Sequence, residues 1–320
     1  MNATSKKHPF TVLLILSLLS GGCISQSTLE IEGHELVFFQ SNKEGSKGNI
    51  FLMNTDGSRQ QQIGKSGVRP DYYPNWSKDG RKITFESYRR GGWRIWITDP
   101  DGSNARRLDN IGRDYEFDPT FDAAGTQVIY SRNGDLYKVN VVSGKTERFT
   151  NTPALYESQP DVSLNDDVIY VAGNEEGAQI VQKNLHSGKE KNLTTKQYTE
   201  LAPIWSPDGT AILFYSDREG GFELFIMNAD GSNIRRVISN ETLKKYGIQR
   251  GTFLKLDEGW NHCLQYRATF SPDGQWIAFS ADTDDSREIF IVSKDGKSLR
   301  QLTRNKLHDG FPAFRPIAKK

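Results

Sequence analysis

Apolar and polar residues alternate with a period of two through most of this chain, which is the pattern of half-buried β-strands. In 81–87, RKITFES, the two kinds of residue alternate, and a glycine pair at 91–92 separates this stretch from 94–99, RIWITD. A hairpin signal follows at 101–102, and 105–108 supplies a fourth short stretch. The chain has no long 3.6-residue period, so the pattern predicts short strands joined by tight turns.

The alternating stretches belong to a unit that is repeated along the chain. PNWSKDGRKITFES (74–87), PIWSPDGTAILFYS (203–216) and RATFSPDGQWIAFS (267–280) align without a gap. The apolar residue at the tryptophan position recurs at intervals of 45, 41, 43, 65 and 44 residues, as Trp76, Phe121, Val162, Trp205, Phe270 and Phe314. Turn dipeptides recur at nearly the same intervals, from 56–57 to 295–296. The sequence therefore contains six units of about 43 residues, one of them with an insertion.

Four short strands in a unit of this length are the signature of a β-propeller blade. We therefore predict an all-β fold, a six-bladed β-propeller of four-stranded antiparallel blades. The first unit, which begins near His34, lacks its proline-containing strand, whereas 311–316, FPAFRP, is such a strand with no unit after it. The C-terminal strand is therefore expected to close the ring by completing the first blade.

The N-terminal stretch has the features of an export signal. Two lysines precede a short apolar segment, 10–19, which is too short to span a bilayer, and small residues then lead to Cys23. The segment 19–23, LSGGC, resembles the site where a prokaryotic lipoprotein is cut before a lipidated cysteine, with a serine where a large aliphatic residue is usual. We expect a signal peptide at 1–22, then a lipid-attachment site and linker at 23–33. A plain secretory signal and an uncleaved anchor are the alternatives.

The propeller is expected to span 34–316, with the insertion at 238–262 and a tail at 317–320. The insertion belongs on the face of the channel mouth, either as a lid or as a decoration, because it joins an outer strand to the next inner strand. Lys plus Arg is 41 and Asp plus Glu is 40, which gives no electrostatic reason to expect nucleic acid as a partner. Cys263 is the only cysteine besides Cys23, so no disulfide framework is expected. We expect a monomer.

The repeat resembles a known family. The order P-x-W-S-P-D-G, I-x-F-x-S and I-x-x-M-N-x-D-G-S is similar to the TolB-type WD-like propeller repeat, most clearly in 203–232 and 270–296, and the resemblance covers 34–316. It implies a TolB-like propeller. In TolB an α/β domain precedes the propeller and works with the Tol proteins and a peptidoglycan-associated lipoprotein. Only about ten residues separate Cys23 from the first unit, so we expect that domain to be absent, which leaves a role in the Tol machinery itself in doubt.

Enzyme motifs are scarce, and neither catalysis nor a cofactor is expected. The chain has no G-x-S-x-G, H-E-x-x-H or C-x-x-C motif. His262 and His308 stand just before inner strands, where propeller lyases of the oligogalacturonate type cluster histidines around a metal, but two histidines are too few to predict a metal site. The Asp-Gly pairs favour turn chemistry over calcium binding, because they recur at one hairpin position.

One pattern suggests a site. Three residues before the proline of each inner strand, or before Ala268 where the proline is missing, the chain has Asp71, Glu116, Glu157, Glu200, Gln265 and Asp309. Six-fold placement would gather these side chains, here called the acidic ring, at the channel entrance, where they would accept a basic peptide, a chain N-terminus or a cation. The alternative is structural, with each carboxylate accepting backbone N–H groups from a neighbouring blade. Aromatic residues suited to recognition or to packing lie close by: Tyr72, Tyr115, Phe117, Tyr156 and Tyr266.

The sequence thus predicts an exported, lipid-anchored propeller that faces the periplasm or the cell exterior. Its expected function is non-catalytic recognition of an envelope protein or peptide at the channel mouth. A carbohydrate-active or hydrolytic enzyme with a site at the channel mouth is the alternative, and a purely structural envelope component is the third hypothesis.

Overall fold

The computed structural model describes residues 34–41, 48–64, 70–89, 91–108, 114–248, 267–283 and 286–317. These residues form six four-stranded antiparallel sheets, which are the blades of a ring around a central channel. The predicted fold class, an all-β six-bladed propeller, is confirmed. The signal peptide and Cys23 lie outside the described residues.

The strands of each blade follow one another from the channel outward, except that the innermost strand of blade 1 comes from the end of the chain. Blade 1 contains β1 (Glu35–Ser41), β2 (Gly48–Asn54), β3 (Gln61–Gln62) and, innermost, β24 (His308–Phe314). Blade 2 contains β4 (Asp71–Trp76), β5 (Ile83–Ser87), β6 (Arg94–Thr98) and β7 (Arg106–Arg107). Blade 3 contains β8 (Phe117–Phe121), β9 (Gln127–Arg132), β10 (Asp135–Asn140) and β11 (Thr146–Arg148).

The other three blades repeat this order. Blade 4 contains β12 (Tyr156–Val162), β13 (Asp167–Asn174), β14 (Gly177–Asn184) and β15 (Glu190–Asn192). Blade 5 contains β16 (Glu200–Trp205), β17 (Ala211–Ser216), β18 (Glu223–Asn228) and β19 (Arg235–Arg236). Blade 6 contains β20 (Thr269–Phe270), β21 (Trp276–Asp282), β22 (Arg287–Ser293) and β23 (Leu299–Gln301).

The inner strands are buried because neighbouring sheets pack face to face. Every residue of β5, β6 and β17 is buried, and the core between blades 5 and 6 includes Leu213, Tyr215 and Phe279. The outermost strands are shorter than the alternation predicts, since β7 covers two residues where 105–108 was expected. An exposed edge has less apolar surface to bury, so less of the predicted strand forms there.

The chain closes the ring with its own last strand, as predicted. In blade 1, Leu36 pairs with Phe314 and Val37 with Ala313 in the antiparallel register of β1 and β24. The Trp76 indole N–H of blade 2 donates to the carbonyl of Ala313 at 3.1 Å, which ties the closing strand to the next blade. The first and last parts of the propeller are therefore adjacent strands of one sheet.

A β-bulge recurs in the innermost strands, and the repeat proline explains it. Proline has no N–H to donate to the ladder, so strands accommodate it at bulges. The residue before the proline has a left-handed backbone in five blades: Tyr73 (φ 51°), Asp118 (φ 56°), Gln159 (φ 54°), Ala202 (φ 49°) and Phe311 (φ 51°). In each case the register shifts at this point. Arg267 has the same place in the sixth repeat, before Ala268.

The Asp-Gly turns have the predicted turn chemistry. The Asp101 carboxylate accepts the Ser103 backbone N–H at 2.9 Å, and Asp56 and Asp230 make the same contact in their own turns. Gly102 has φ +80°, and a Cβ there would lie 2.2 Å from a backbone oxygen, so glycine is required.

One short helix, α1 (Asn240–Lys245), starts the insertion and was not predicted. Ser239 caps it by accepting the Thr242 N–H at 3.1 Å, and Leu243 is buried under blades 5 and 6. The rest of the insertion, 249–262, lies outside the described residues. In the part of the chain that the structure describes, no helix has the length and apolar character that crossing a membrane requires.

Candidate functional site at the central channel

The structure places the acidic ring inside the protein. All five carboxylates that it describes are at most 2% exposed: Asp71, Glu116, Glu157, Glu200 and Asp309. Gln265, the sixth member, lies outside the described residues. Each carboxylate stands where the outermost strand of one blade crosses to the innermost strand of the next, so its partners are the groups of that junction.

Two of the carboxylates each pair with an arginine of their own blade. In blade 2, Arg89 Nη2 lies 2.5 Å from Asp71 Oδ2, and in blade 5 Arg218 bonds Glu200 in the same way. Each guanidinium also stacks on rings of its own blade, with Arg89 4.8 Å from the Trp96 centroid. The sequence signal for this pairing is an arginine two residues after the serine that ends the second strand, which the repeat analysis did not use.

Two other carboxylates have neutral partners. Asp309 accepts the Asn305 amide at 2.8 Å, and the side chains of Thr303 and Gln40 lie near it and lower its pKa. Thr150 lies near Glu157 and lowers its pKa in the corresponding way. Both threonines have a second role, because Thr303 Oγ1 and Thr150 Oγ1 each accept a backbone N–H from the third strand of the preceding blade, at 2.9 and 2.8 Å.

Glu116 is the member that accepts such a backbone N–H directly. Its Oε2 lies 2.9 Å from the backbone nitrogen of Ile95, and Arg107 Nη2 lies 3.7 Å from its Oε1. The contacts of the ring are therefore contacts between and within blades. Burial is the largest influence on the pKa of Asp71, Glu157, Glu200 and Asp309; it raises all four, and raises that of Asp309 to about 6.

A cavity of about 550 Å³ opens beside the channel on the face that carries the turns between second and third strands. Seven aromatic side chains line it, and they define what is called here the aromatic mouth: Tyr72, Tyr73, Trp93, Tyr115, Phe117, Tyr156 and Phe311. Four of them were singled out from the sequence; Tyr266 lies outside the described residues. Tyr115 is 49% exposed and Tyr156 is 70% exposed, whereas Tyr73 and Phe311 pack against each other at 5.0 Å in the floor.

Two acidic groups that the sequence analysis missed also line the aromatic mouth. Glu86 accepts the Asp118 backbone N–H at 2.7 Å, and Asp118 accepts Ser131 Oγ at 3.0 Å and the Gln159 N–H at 3.1 Å. Burial and the charge of Asp118 raise the pKa of Glu86 well above its usual range. Of the five acidic-ring members that the structure describes, only Glu157 lines this cavity. Asp118 could have been found from its place directly before a repeat proline, because the bulge at that position turns Asp118 toward the channel.

A second cavity, of about 380 Å³, opens on the opposite face, where the Asp-Gly and Ser-x-Asp-Gly turns lie. All six blades contribute to it. Its rim consists of the residues that follow the motif serine or its counterpart: Lys78, Ala123, Leu164, Pro207, Pro272 and Pro316. This cavity is called the turn-face funnel.

The described residues offer little to a metal ion. Within them, no group of three or more His, Cys, Asp or Glu side chains is placed to hold one. His308 lies in β24, where it pairs with Ser41, and His262 is outside the described range.

Comparisons with known proteins agree with this architecture. A family model described as the TolB beta propeller domain matches residues 30–182. The chain is 24% identical over 205 residues to an uncharacterized protein of Agrobacterium fabrum, with 63% of each chain covered. It is 28% identical over 136 residues to the Tol-Pal system protein TolB of Anaeromyxobacter dehalogenans, covering 42% of this chain and 26% of that protein. It thus spans less than two thirds of either relative.

Solved structures show the same fold. The chain superposes on TolB from Acinetobacter baumannii with a TM-score of 0.74 at 18% identity, covering 89% of this chain and 67% of TolB. An oligogalacturonate lyase in complex with manganese gives a TM-score of 0.50 at 16% identity, covering 85% of this chain and 74% of the lyase. At such identities the likeness concerns the fold alone.

Proposed function

Because the chain is a TolB-like six-bladed β-propeller, we propose that it is a non-catalytic binding protein of the cell envelope, which recognises a segment of a partner protein at the aromatic mouth. The observation that carries the proposal is the exposure of Tyr115 and Tyr156 above an apolar cavity. Large, rigid aromatic side chains that stay exposed beside a cavity are characteristic of protein-recognition sites.

The size and charge of the aromatic mouth fit a peptide segment. Its volume falls within the range of about 300 to 1,000 Å³ that is usual for ligand sites. Aromatic walls suit the apolar part of a side chain, and Asp118 at the channel wall suits a basic group. The acidic ring supports this site from behind, since its buried carboxylates connect the blades whose strand ends form the mouth.

The envelope location rests on the N-terminal sequence and on the relatives. The export signal and its lipobox-like segment support a mature protein outside the cytoplasm that is attached through lipid on Cys23. TolB, which this chain resembles, is named as a protein of the Tol-Pal system.

Capture of partners by the purified full-length protein tests the proposal. Immobilised wild-type protein is expected to retain an envelope protein that the double variant Tyr115→Ala, Tyr156→Ala retains at least about tenfold less, since central tyrosines in interfaces often contribute 2 kcal/mol or more. Val142→Ala is the matched control, because Val142 is 91% exposed but belongs to a turn on the opposite face. Equal capture by all three proteins would reject the aromatic mouth as the binding site.

The alternative is a carbohydrate-active or hydrolytic enzyme. The Glu86–Asp118 pair favours it, because burial and the charge of Asp118 raise the pKa of Glu86, and a carboxyl with a raised pKa near a second carboxylate is the arrangement that acid–base hydrolysis uses. The fold likeness to oligogalacturonate lyase is compatible with it. Turnover of an oligosaccharide that Glu86→Gln abolishes would favour this alternative over recognition alone.

A further inference from the structure

We propose that the turn-face funnel is a second ligand site, which binds a carboxylate carried on a compact apolar body. It lies on the face opposite the aromatic mouth, so it does not depend on the proposed function. Three observations lead to it: an arginine with unused donors, a second cation beside the first, and apolar walls.

Arg267 is the central observation. It is 3% exposed and lines the funnel, and its Nε and Nη1 have no hydrogen-bond partner among the described residues. Its Nη2 lies 3.8 Å from Asp161 Oδ1, and its guanidinium carbon lies 5.3 Å from the Tyr73 ring centroid. Leaving a buried cation with unsatisfied donors is costly, and a carboxylate can accept two parallel N–H bonds from the Nη1–Nη2 edge of the guanidinium.

Lys78 adds a second positive charge. Its Nζ lies 3.9 Å from the same Asp161 oxygen, and its side chain is 26% exposed at the rim. Asp161 is already engaged elsewhere, because its Oδ2 accepts the Trp205 backbone N–H at 2.8 Å and its Oδ1 accepts the Thr120 hydroxyl. Asp79 also lines the funnel. Two cations therefore face two carboxylates, and the case for an anion rests on the unsatisfied donors of the buried Arg267 and not on a net positive charge.

The side chains that line the turn-face funnel indicate which kind of molecule would carry the carboxylate. Besides its charged groups and four small polar side chains, the funnel is lined by apolar side chains, among them Val162, Ile204, Phe270 and Phe314. Three of the six rim positions are prolines, which hold the rim rigid. A strongly hydrated anion such as phosphate would be desolvated against these walls, whereas an aliphatic carboxylate places its apolar part against them and its charge on Arg267.

A peptide C-terminus with an apolar last residue and a free small carboxylate both have this chemistry. We use N-acetyl-leucine as the probe and N-acetyl-leucinamide as its neutral counterpart, with calorimetry on the full-length protein. The acid is expected to bind at least about tenfold more tightly than the amide, because charge-assisted hydrogen bonds are about twice as strong as neutral ones.

Variants locate the binding. Arg267→Gln and Lys78→Gln are expected to weaken the acid and leave the amide unchanged, whereas Lys297→Gln, on an exposed side chain in another turn, is the control. Because Arg267→Gln removes a buried group and risks misfolding, Leu164 supplies an independent pair. Leu164 is 49% exposed at the rim, so both variants should fold. Leu164→Glu is expected to weaken the acid roughly fivefold relative to Leu164→Gln by like-charge repulsion.

The source of the ligand is distinguished by a hexapeptide ending in leucine. Tighter binding than that of N-acetyl-leucine indicates a protein C-terminus, and weaker binding indicates a small carboxylate; both support the site. Equal binding of the acid and the amide, or no binding of either at millimolar concentration, overturns the proposal. So does a preference for the acid that is unchanged in both Lys78→Gln and Leu164→Glu.

Discussion

The junctions of blades 2 and 5 differ from those of blades 4 and 1 in how they hold the same carboxylate of the acidic ring. Asp71 and Glu200 each face an arginine of their own blade. The polar groups that lower the pKa of Asp309 are neutral, namely Asn305, Gln40 and Thr303, and the charge of Glu288 raises that pKa further.

This difference shows that a position repeated in the sequence need not have a repeated charge. Burial favours the protonated form in all of these junctions, and an arginine opposes it where one is present. With the arginine, the junction is a buried ion pair; without it, no cation opposes the effect of burial, which raises the pKa of Asp309 to about 6. The ring is therefore not a uniform band of negative charge.

Breaking a buried ion pair should have the largest effect. Arg218→Met leaves Glu200 buried without its cation, so we expect the free energy of unfolding to fall by about 3 to 5 kcal/mol. Urea denaturation monitored by tryptophan fluorescence measures it.

The matched control is Lys145→Met, which removes the cation of an exposed pair with Glu147. Exposed pairs contribute about 1 kcal/mol or less. Equal losses in the two variants would show that Arg218 does not compensate a buried charge.

Asp309→Asn should have the next largest effect, and it should depend on pH. The pKa of Asp309 in the folded protein, about 6, lies above its ordinary value of 3.8. The protonated carboxyl therefore stabilises the fold fully below pH 3.8, and this contribution is lost as the pH rises through 6. At pH 7 the amide variant should be more stable than the wild type by as much as about 3 kcal/mol, and at pH 4 the difference should nearly vanish.

Asp208→Asn is the control for pH, because hydrogen bonds from Ser206 and Thr210 lower the pKa of Asp208 to about 2 in spite of burial. Its contribution is present above pH 3.8 and is lost only as the pH falls toward 2, so it cannot change the slope between pH 4 and 7. A wild type whose stability does not differ from that of Asp309→Asn at any pH would contradict a proton on Asp309.

The smallest expected effect is the difference in stability between two threonine-to-valine variants. Thr194 and Thr303 each accept a backbone N–H at 2.9 Å, so valine at either position leaves that group unpaired and costs about 1 to 3 kcal/mol. Thr303 also lies near Asp309 and lowers its pKa, whereas the partners of Glu200 are Arg218 and Ser216. Thr303→Val should therefore cost about 1 kcal/mol more than Thr194→Val at pH 7, and equal losses at pH 5 and pH 7 in Thr303→Val would argue against a shared network.

The fold followed from the sequence because its signals are local and are repeated six times. Each residue of the tryptophan ruler ends an innermost strand, from Trp76 in β4 to Phe314 in β24. The closing strand was predictable because the first unit lacks an element that the last residues supply. Repetition made each weak signal strong.

The site was harder to predict because it depends on burial and on contacts between units. The sequence alone does not show whether a carboxylate such as Glu116 faces solvent or accepts a backbone N–H of the preceding blade. Two further features depend on the folded blades. They are the bulge that turns Asp118 toward the channel and the donors of Arg267 that lack a hydrogen-bond partner. The prediction that the acidic ring itself binds a ligand remains a prediction.

The pairing of β1 with β24 has a consequence for biosynthesis. Arg315 and Glu35 are ion-pair partners separated by 280 residues, so β1 cannot complete its pairing until β24 has been synthesised. Before then, the first blade has an unpaired edge that neighbouring chains are able to pair with. Contacts of such long range slow folding, so the growing chain is most prone to aggregate just before β24 emerges from the ribosome.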